Sequence, residues 1–273
     1  MIRAHAVRFA IAVLLALGAL SDSTAVAAHA QRAQTKPTIV LVHGAWADGS
    51  SWSGVIQRLQ QSGYTVFAPP NPLRGIASDA ATIAAFVNSL PAGPVVLVGH
   101  SYGGAVITNA ATSTPNVKAL VFVNAFAPDQ GETLLQLVAA KPGSALGGNP
   151  ANVFNPVPYP GAPAGDADLY IKQTLFPSAF ANDLPARTAR VLASTQRPLA
   201  GSAAATPSGV PAWKTIPSWY LVGTQDHVIP PAEQRIMATR AKAQTVEVKA
   251  SHLSMISHPA DVAKLIVAAA GGS

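Results

Sequence analysis

The segment Val95-Val96-Leu97-Val98-Gly99-His100-Ser101-Tyr102-Gly103-Gly104 constrains the fold of this chain more than any other. Its aliphatic run ending in glycine reads as a buried strand, and the small-residue run Ala105 to Ala111 that follows reads as a helix. Between them a serine stands two residues from a glycine on either side. A sharp strand-to-helix turn strains the backbone at such a serine, and side chains at the flanking positions would collide. Gly99 and Gly103 relieve that crowding, and the turn lifts the Ser101 hydroxyl clear of the sheet.

The rest of the chain has the rhythm this unit requires. From Pro37 onward, β-branched runs alternate with helical patterns, which predicts an α/β fold built on a mostly parallel, doubly wound sheet. Strands are expected at 38–43, 64–69, 94–99, 118–124, 218–223 and 244–249. Helices are expected near 50–62, 78–90, 102–113, 231–242 and 259–270. In the first of these, Trp52, Val55, Ile56 and Leu59 share one face at helical spacing and are core candidates.

Between about residues 130 and 213 the alternation breaks. A Pro/Gly/Asn/Ala-rich stretch from Lys141 to Gly165 leads into helical patterns at Asp168 to Leu175 and Asp183 to Ser194, so the segment reads as a helical lid inserted between strands. Its apolar residues Leu134, Leu135, Leu169, Tyr170, Leu175, Phe176 and Phe180 either line a pocket over Ser101 or pack the lid onto the body.

The N-terminus carries Arg3 and Arg8, an apolar run from Phe9 to Leu20, and small residues ending Ala28-His29-Ala30. The run is well short of the roughly 20 residues that cross a bilayer, so residues 1–30 read as a signal peptide cleaved after Ala30, with no stable membrane insertion afterwards. Residues 31–273 then form a single domain, expected to be secreted or periplasmic. With no cysteine there is no disulfide, thiolate metal site or cysteine nucleophile. The net charge of +6 is spread thinly, since only 11% of residues are charged and no Lys/Arg run occurs, which argues against a nucleic-acid partner. Neither HExxH, clustered histidines nor GxxxxGK[ST] is present, so no metal or other cofactor is expected.

A serine hydroxyl attacks well only when a base takes its proton, and that base needs an acid to orient it. Strand 218–223 runs into Thr224-Gln225-Asp226-His227, and the last strand runs into Lys249-Ala250-Ser251-His252. Both deliver their polar residues at carboxyl ends of strands, where parallel sheets place their sites. Ser101, Asp226 and His252 therefore stand in the order nucleophile, acid, base. Asp129 is a competing acid and His258 a competing base, while His227, His100 and His43 read as scaffold. The oxyanion formed on attack needs two fixed donors, which the backbone N–H of Tyr102 and that of Ala45, beside the permissive Gly44, would supply.

These residues carry a resemblance. His43-Gly44-Ala45-Trp46, Gly99 to Gly104, Gly223 to Asp226 and Ser251 to Met255 together resemble the α/β-hydrolase superfamily, in its branch of small lidded serine esterases shared by methylesterases and hydroxynitrile lyases. The resemblance implies Ser101 as nucleophile, His252 as base, Asp226 as orienting acid and a small-molecule ester as substrate. The lyases carry a lysine after the catalytic histidine, where this chain has Leu253, and lack the glycine after His43. Haloalkane dehalogenases and epoxide hydrolases use an aspartate at the position of Ser101. The expectation is an exported serine hydrolase that cleaves carboxylic esters through an acyl-serine. A cofactor-free haloperoxidase or perhydrolase, and a ligand-binding protein on the same scaffold, are the alternatives.

Overall fold

The computed structural model describes residues 36–271. The leader expected over residues 1–30 lies outside them. Four strands open the fold: β1 (Thr38–Val42), β2 (Val66–Phe67), β3 (Val95–His100) and β4 (Val117–Val123). The insertion holds β5 (Phe154–Val157), β6 (Asp168–Ile171) and β7 (Leu199–Ala200), and β8 (Ser218–Gly223) and β9 (Gln244–Val248) return to the central sheet. That sheet runs in the order β2-β1-β3-β4-β8-β9, with every neighbouring pair parallel.

The order explains where a site must form. The chain leaves β1 for β2 on one side, then returns to β3 on the other, and crossovers of one hand then place Ser53–Gln61 on one face and Ile76–Asn88 and Tyr102–Ala110 on the other. Helices Ile76–Asn88 and Tyr102–Ala110 pack together, as do Ser53–Gln61 and Pro259–Gly271. The loops after β1 and β3 diverge at this reversal and leave a crevice at the carboxyl edge of the sheet. Burial follows the same logic. Strands β3 and β8 are buried at every residue, and β4 exposes only Lys118. Strand β2 is shorter than its apolar run predicts, because Pro69 and Pro70 end an edge strand that pairs only at Val66 and Phe67.

The insertion is helical at Leu134–Ala139, Phe176–Phe180, Ala186–Thr195 and Gly201–Ala205, but the first of its two expected helices is absent. Asp168–Ile171 is a strand, paired antiparallel with β5 and β7 in a small three-stranded sheet. An eight-residue apolar pattern fits either structure, and strand partners decide in favour of Leu169-Tyr170-Ile171 as β. The second expected helix is present as Ala186–Thr195 but starts later than Asp183, because Pro185 occupies its N-cap with a φ of −54°. Polar contacts fasten the insertion to the body. Trp46 donates from its indole to the Leu169 carbonyl at 2.7 Å and from its backbone to the Arg197 carbonyl at 2.8 Å. Arg74 pairs with Asp168, and Ala200 N–H reaches the Leu73 carbonyl at 3.0 Å.

Candidate active site

Ser101 stands between β3 and the helix Tyr102–Ala110 with φ +51°, a left-handed conformation that a non-glycine residue adopts only where its surroundings impose it. The surroundings are close-packed backbone. A Cβ on Gly99 would come within 2.5 Å of the Gly103 carbonyl oxygen, and one on Gly103 within 2.3 Å of the Val42 carbonyl oxygen. The glycines flanking the serine thus let β3, its helix and the end of β1 meet. Gly44 matters from the other side, since a Cβ there would lie 2.6 Å from that of Ser101.

Asp226 and His252 meet at the carboxyl ends of β8 and β9. His252 Nδ1 lies 2.8 Å from Asp226 Oδ2, with both side chains fully buried. A carboxylate only accepts, so Nδ1 carries the proton and Nε2 presents a lone pair. That Nε2 is buried with no partner among the described residues. No hydrogen bond joins it to Ser101, and nucleophile–base bonds are commonly long outside the complex with substrate.

The carboxylate is held from all sides. Asp226 Oδ1 accepts from the backbone of Val228 and Ile229 at 2.7 and 3.0 Å, and Oδ2 accepts from Asn124 at 3.0 Å and Gln234 at 2.8 Å. Asn124 also donates to the Ser251 carbonyl at 3.1 Å and accepts from the Ser254 hydroxyl at 2.6 Å. It thereby ties the acid to the loop bearing His252. Sequence reasoning passed over this residue. The available signal was an asparagine directly after a buried strand, at a position that proves to have φ +45°.

The competing residues lie elsewhere. Asp129 pairs with Lys214 at 2.6 Å on the surface, His227 contacts the Ser178 carbonyl at 3.0 Å, and His258 sits 2.9 Å from the Ser257 hydroxyl. His100 and His43 are scaffold. His100 Nε2 donates to the His252 carbonyl at 2.9 Å, with the two rings 4.7 Å apart, and burial pushes its imidazole well below the usual histidine range. His43 donates from Nδ1 to the Gly44 carbonyl at 2.9 Å and accepts from Asn71 N–H at 3.0 Å. Burial lowers it to about 4, a shift the Gly44 bond opposes and Arg197 reinforces.

Ala45, Ser101 and Tyr102 all line one cavity of about 630 Å³. No protein acceptor takes the Ala45 or Tyr102 N–H among the described residues. The Tyr102 side chain is used differently, since its hydroxyl donates to buried Asp79 at 2.8 Å. From the insertion, Leu134, Leu135 and Leu169 line the cavity, whereas Tyr170, Leu175, Phe176 and Phe180 lie outside its lining. Phe176 and Phe180 stack at 4.9 Å, and Phe180 sets its edge against His252 at 4.7 Å. Lys172 is the single charged residue of the lining.

Known proteins with this architecture are numerous enough to be compared directly. The sequence profile described as the Alpha/beta hydrolase family matches residues 39–265. A carbendazim hydrolyzing esterase from Nocardioides sp. is 32% identical over 111 residues, which cover 36% of this chain and 46%, about half, of that protein. An alpha/beta hydrolase, nvfD, from Aspergillus novofumigatus is 27% identical over 257 residues, 86% of this chain and 97% of its own. Among solved structures, a pyrethroid hydrolase from Sphingobium faniae superposes with a TM-score of 0.69 at 24% identity, covering 86% of this chain and 98% of that one. A family profile spanning most of the chain shows that this chain belongs to the α/β hydrolase family.

Proposed function

We propose that the chain hydrolyses carboxylic esters of apolar character through an acyl-serine, with Ser101 as nucleophile, His252 as base and Asp226 as orienting acid. One observation carries this reading. Among the described residues His252 Nε2 and the neighbouring His100 Nδ1 are both buried without a partner, but only the His252 ring has its other nitrogen on a fully satisfied carboxylate, and the adjoining cavity is lined by Ser101. A buried imidazole nitrogen left unpaired costs stability, and the catalytic role explains the arrangement.

Ser101 Oγ attacks the ester carbonyl carbon while its proton passes to His252 Nε2, and the carbonyl electron pair moves onto oxygen. Ala45 and Tyr102 N–H groups receive that oxyanion. Collapse breaks the bond to the alkoxy group, which leaves as alcohol with the proton from His252. Water then attacks the acyl-Ser101 carbonyl, giving its proton to His252, and the second collapse returns the proton to Ser101 and releases the acid. Asp226 holds the imidazolium throughout without taking the proton. The relative named as an esterase supports an ester substrate, and the apolar lining of the cavity supports an apolar arm.

Aryl esters of increasing acyl length, assayed beside fluorophosphonate labelling with the adduct mapped by mass spectrometry, test this. Labelling is expected on Ser101, and Ser101→Ala is expected to lower kcat by at least about 10³-fold. An adduct on another residue, or turnover surviving in Ser101→Ala, overturns the assignment. Export is part of the same proposal, and sequencing of the protein recovered outside the cytoplasm is expected to start at Gln31.

A further inference from the structure

The residues that hold the base and acid are not all supplied by the central sheet. The insertion segment from Ser178 to Asp183 runs directly against both loops. Asp183 accepts two hydrogen bonds from Ser251, the residue before His252: one from the backbone N–H at 2.9 Å to Oδ2, and a short one from the hydroxyl to Oδ1. Asn182 donates to the carbonyl of Gln225, the residue before Asp226, at 3.2 Å. His227, the residue after Asp226, donates to the Ser178 carbonyl at 3.0 Å. Phe180 closes the set with its edge on the His252 ring.

We infer that Asp183 is a positioning residue for the proposed reaction: from within the insertion it fixes the loop bearing His252 through its paired hydrogen bonds to Ser251. The inference rests on the acyl-serine reading given above. Its physical basis is the geometry of the loop. Past β9, Gln225 N–H still takes the Ala250 carbonyl at 3.0 Å; beyond that point the backbone is anchored by Asn124 at the Ser251 carbonyl and His100 at the His252 carbonyl, and Asp183 takes the Ser251 N–H and hydroxyl. Asn124 and His100 take carbonyl groups on the sheet side. Asp183, from the insertion, is the acceptor of both the N–H and the hydroxyl of Ser251, so removing it loosens the loop at the residue directly before His252. A misplacement of about 1 Å at a reacting group costs up to about 10²-fold in rate. The helix start at Pro185 leaves Asp183 outside the helix and its carboxylate available for this contact. His258, 3.7 Å from the same carboxylate, is the other titratable group facing it.

The test compares Asp183→Ala, Asp183→Asn, Ser251→Ala and the double Asp183→Ala/Ser251→Ala by kcat and KM on an aryl ester, and by the proton resonance of His252 Nδ1–H in the resting protein. Asp183→Ala is expected to lower kcat about 10- to 100-fold with KM within about twofold. Asp183→Asn keeps an acceptor for the Ser251 N–H and offers a donor to its hydroxyl, so it is expected to recover to within about threefold of wild type. The double variant is expected to be no slower than Asp183→Ala, because the two changes remove one interaction. The Nδ1–H resonance is expected to shift or broaden in Asp183→Ala and to return in Asp183→Asn. Should Asp183→Ala fail to fold, Ser251→Ala is judged alone, with a smaller fall in kcat of about three- to tenfold expected. Wild-type kcat in Asp183→Ala, an Asn variant as slow as the Ala variant, or an unmoved resonance overturns the inference. If the wild-type protein turns over no ester, it is the acyl-serine reading that fails, and the resonance still decides whether Asp183 positions His252.

Discussion

At the scale of single residues, the carboxylate of Asp226 is held by so many donors that its position hardly depends on His252. Backbone N–H groups of Val228 and Ile229 fix one oxygen, and the amides of Asn124 and Gln234 fix the other. Asn124 is the critical member because it alone also reaches the Ser251 carbonyl. Asn124→Ala is predicted to lower kcat about 10- to 100-fold at nearly constant KM in a steady-state assay, since it loosens two groups that must meet. A change confined to KM would show that Asn124 acts on binding instead. Gly223 protects this same contact: a Cβ there would lie 2.0 Å from Asn124 Nδ2, which belongs to a buried, fully engaged side chain. Gly223→Ala is predicted to destabilise the fold by about 1–3 kcal/mol, read as a lower denaturant midpoint, and to lower activity in the surviving protein.

At the scale of elements, the insertion does two things at once. Its first half supplies the cavity wall through Leu134, Leu135 and Leu169, and its middle supplies the packing under Phe176 and Phe180. Leu169 sits at the join, since its side chain lines the cavity while its carbonyl receives the Trp46 indole. Leu169→Trp is predicted to fill cavity space, lowering kcat/KM for long-chain aryl esters about tenfold or more while leaving acetate esters within about twofold; equal loss for both would point to damage at the chemistry instead. The inner strands β1, β3, β4 and β8 were legible in the sequence because their aliphatic, β-branched-rich runs are buried on both faces, while the exposed edge strand β9 was legible from its alternating Val246 and Val248. The strand at Asp168 was not, because its identity depends on pairing with residues in two other segments. Ser101, Asp226, His252, Ala45 and Tyr102 could be proposed from strand ends and a local turn motif. Asn124 and Asp183 could not, because their hydrogen bonds join segments 102 and 68 residues apart that no local pattern links, and Gln234 reads in the sequence as an ordinary polar position of a helix.

At the scale of the whole molecule, two buried imidazoles set the acid limit of stability. His43 is lowered to about 4 from an ordinary 6.5, and the fully buried His100 is lowered in the same direction, both chiefly by removal from water. The unfolded chain takes up these protons first as the solution is acidified. The contribution of His43 is therefore complete above pH 6.5, declines as pH falls from 6.5 to 4, and is spent below that. A shift of that size corresponds to on the order of 3 kcal/mol from His43. Urea midpoints measured across this window are predicted to fall steadily on acidification, and a flat profile would rule out both histidines as its cause. The cavity beside Ser101 has a thermodynamic consequence of its own. A ligand that fills a mostly apolar space of about 630 Å³ removes hydrocarbon surface from water, so its binding carries a negative heat-capacity change. Calorimetric titration of Ser101→Ala with an uncleaved apolar ester is predicted to grow more exothermic with each rise in temperature, while the affinity itself moves far less.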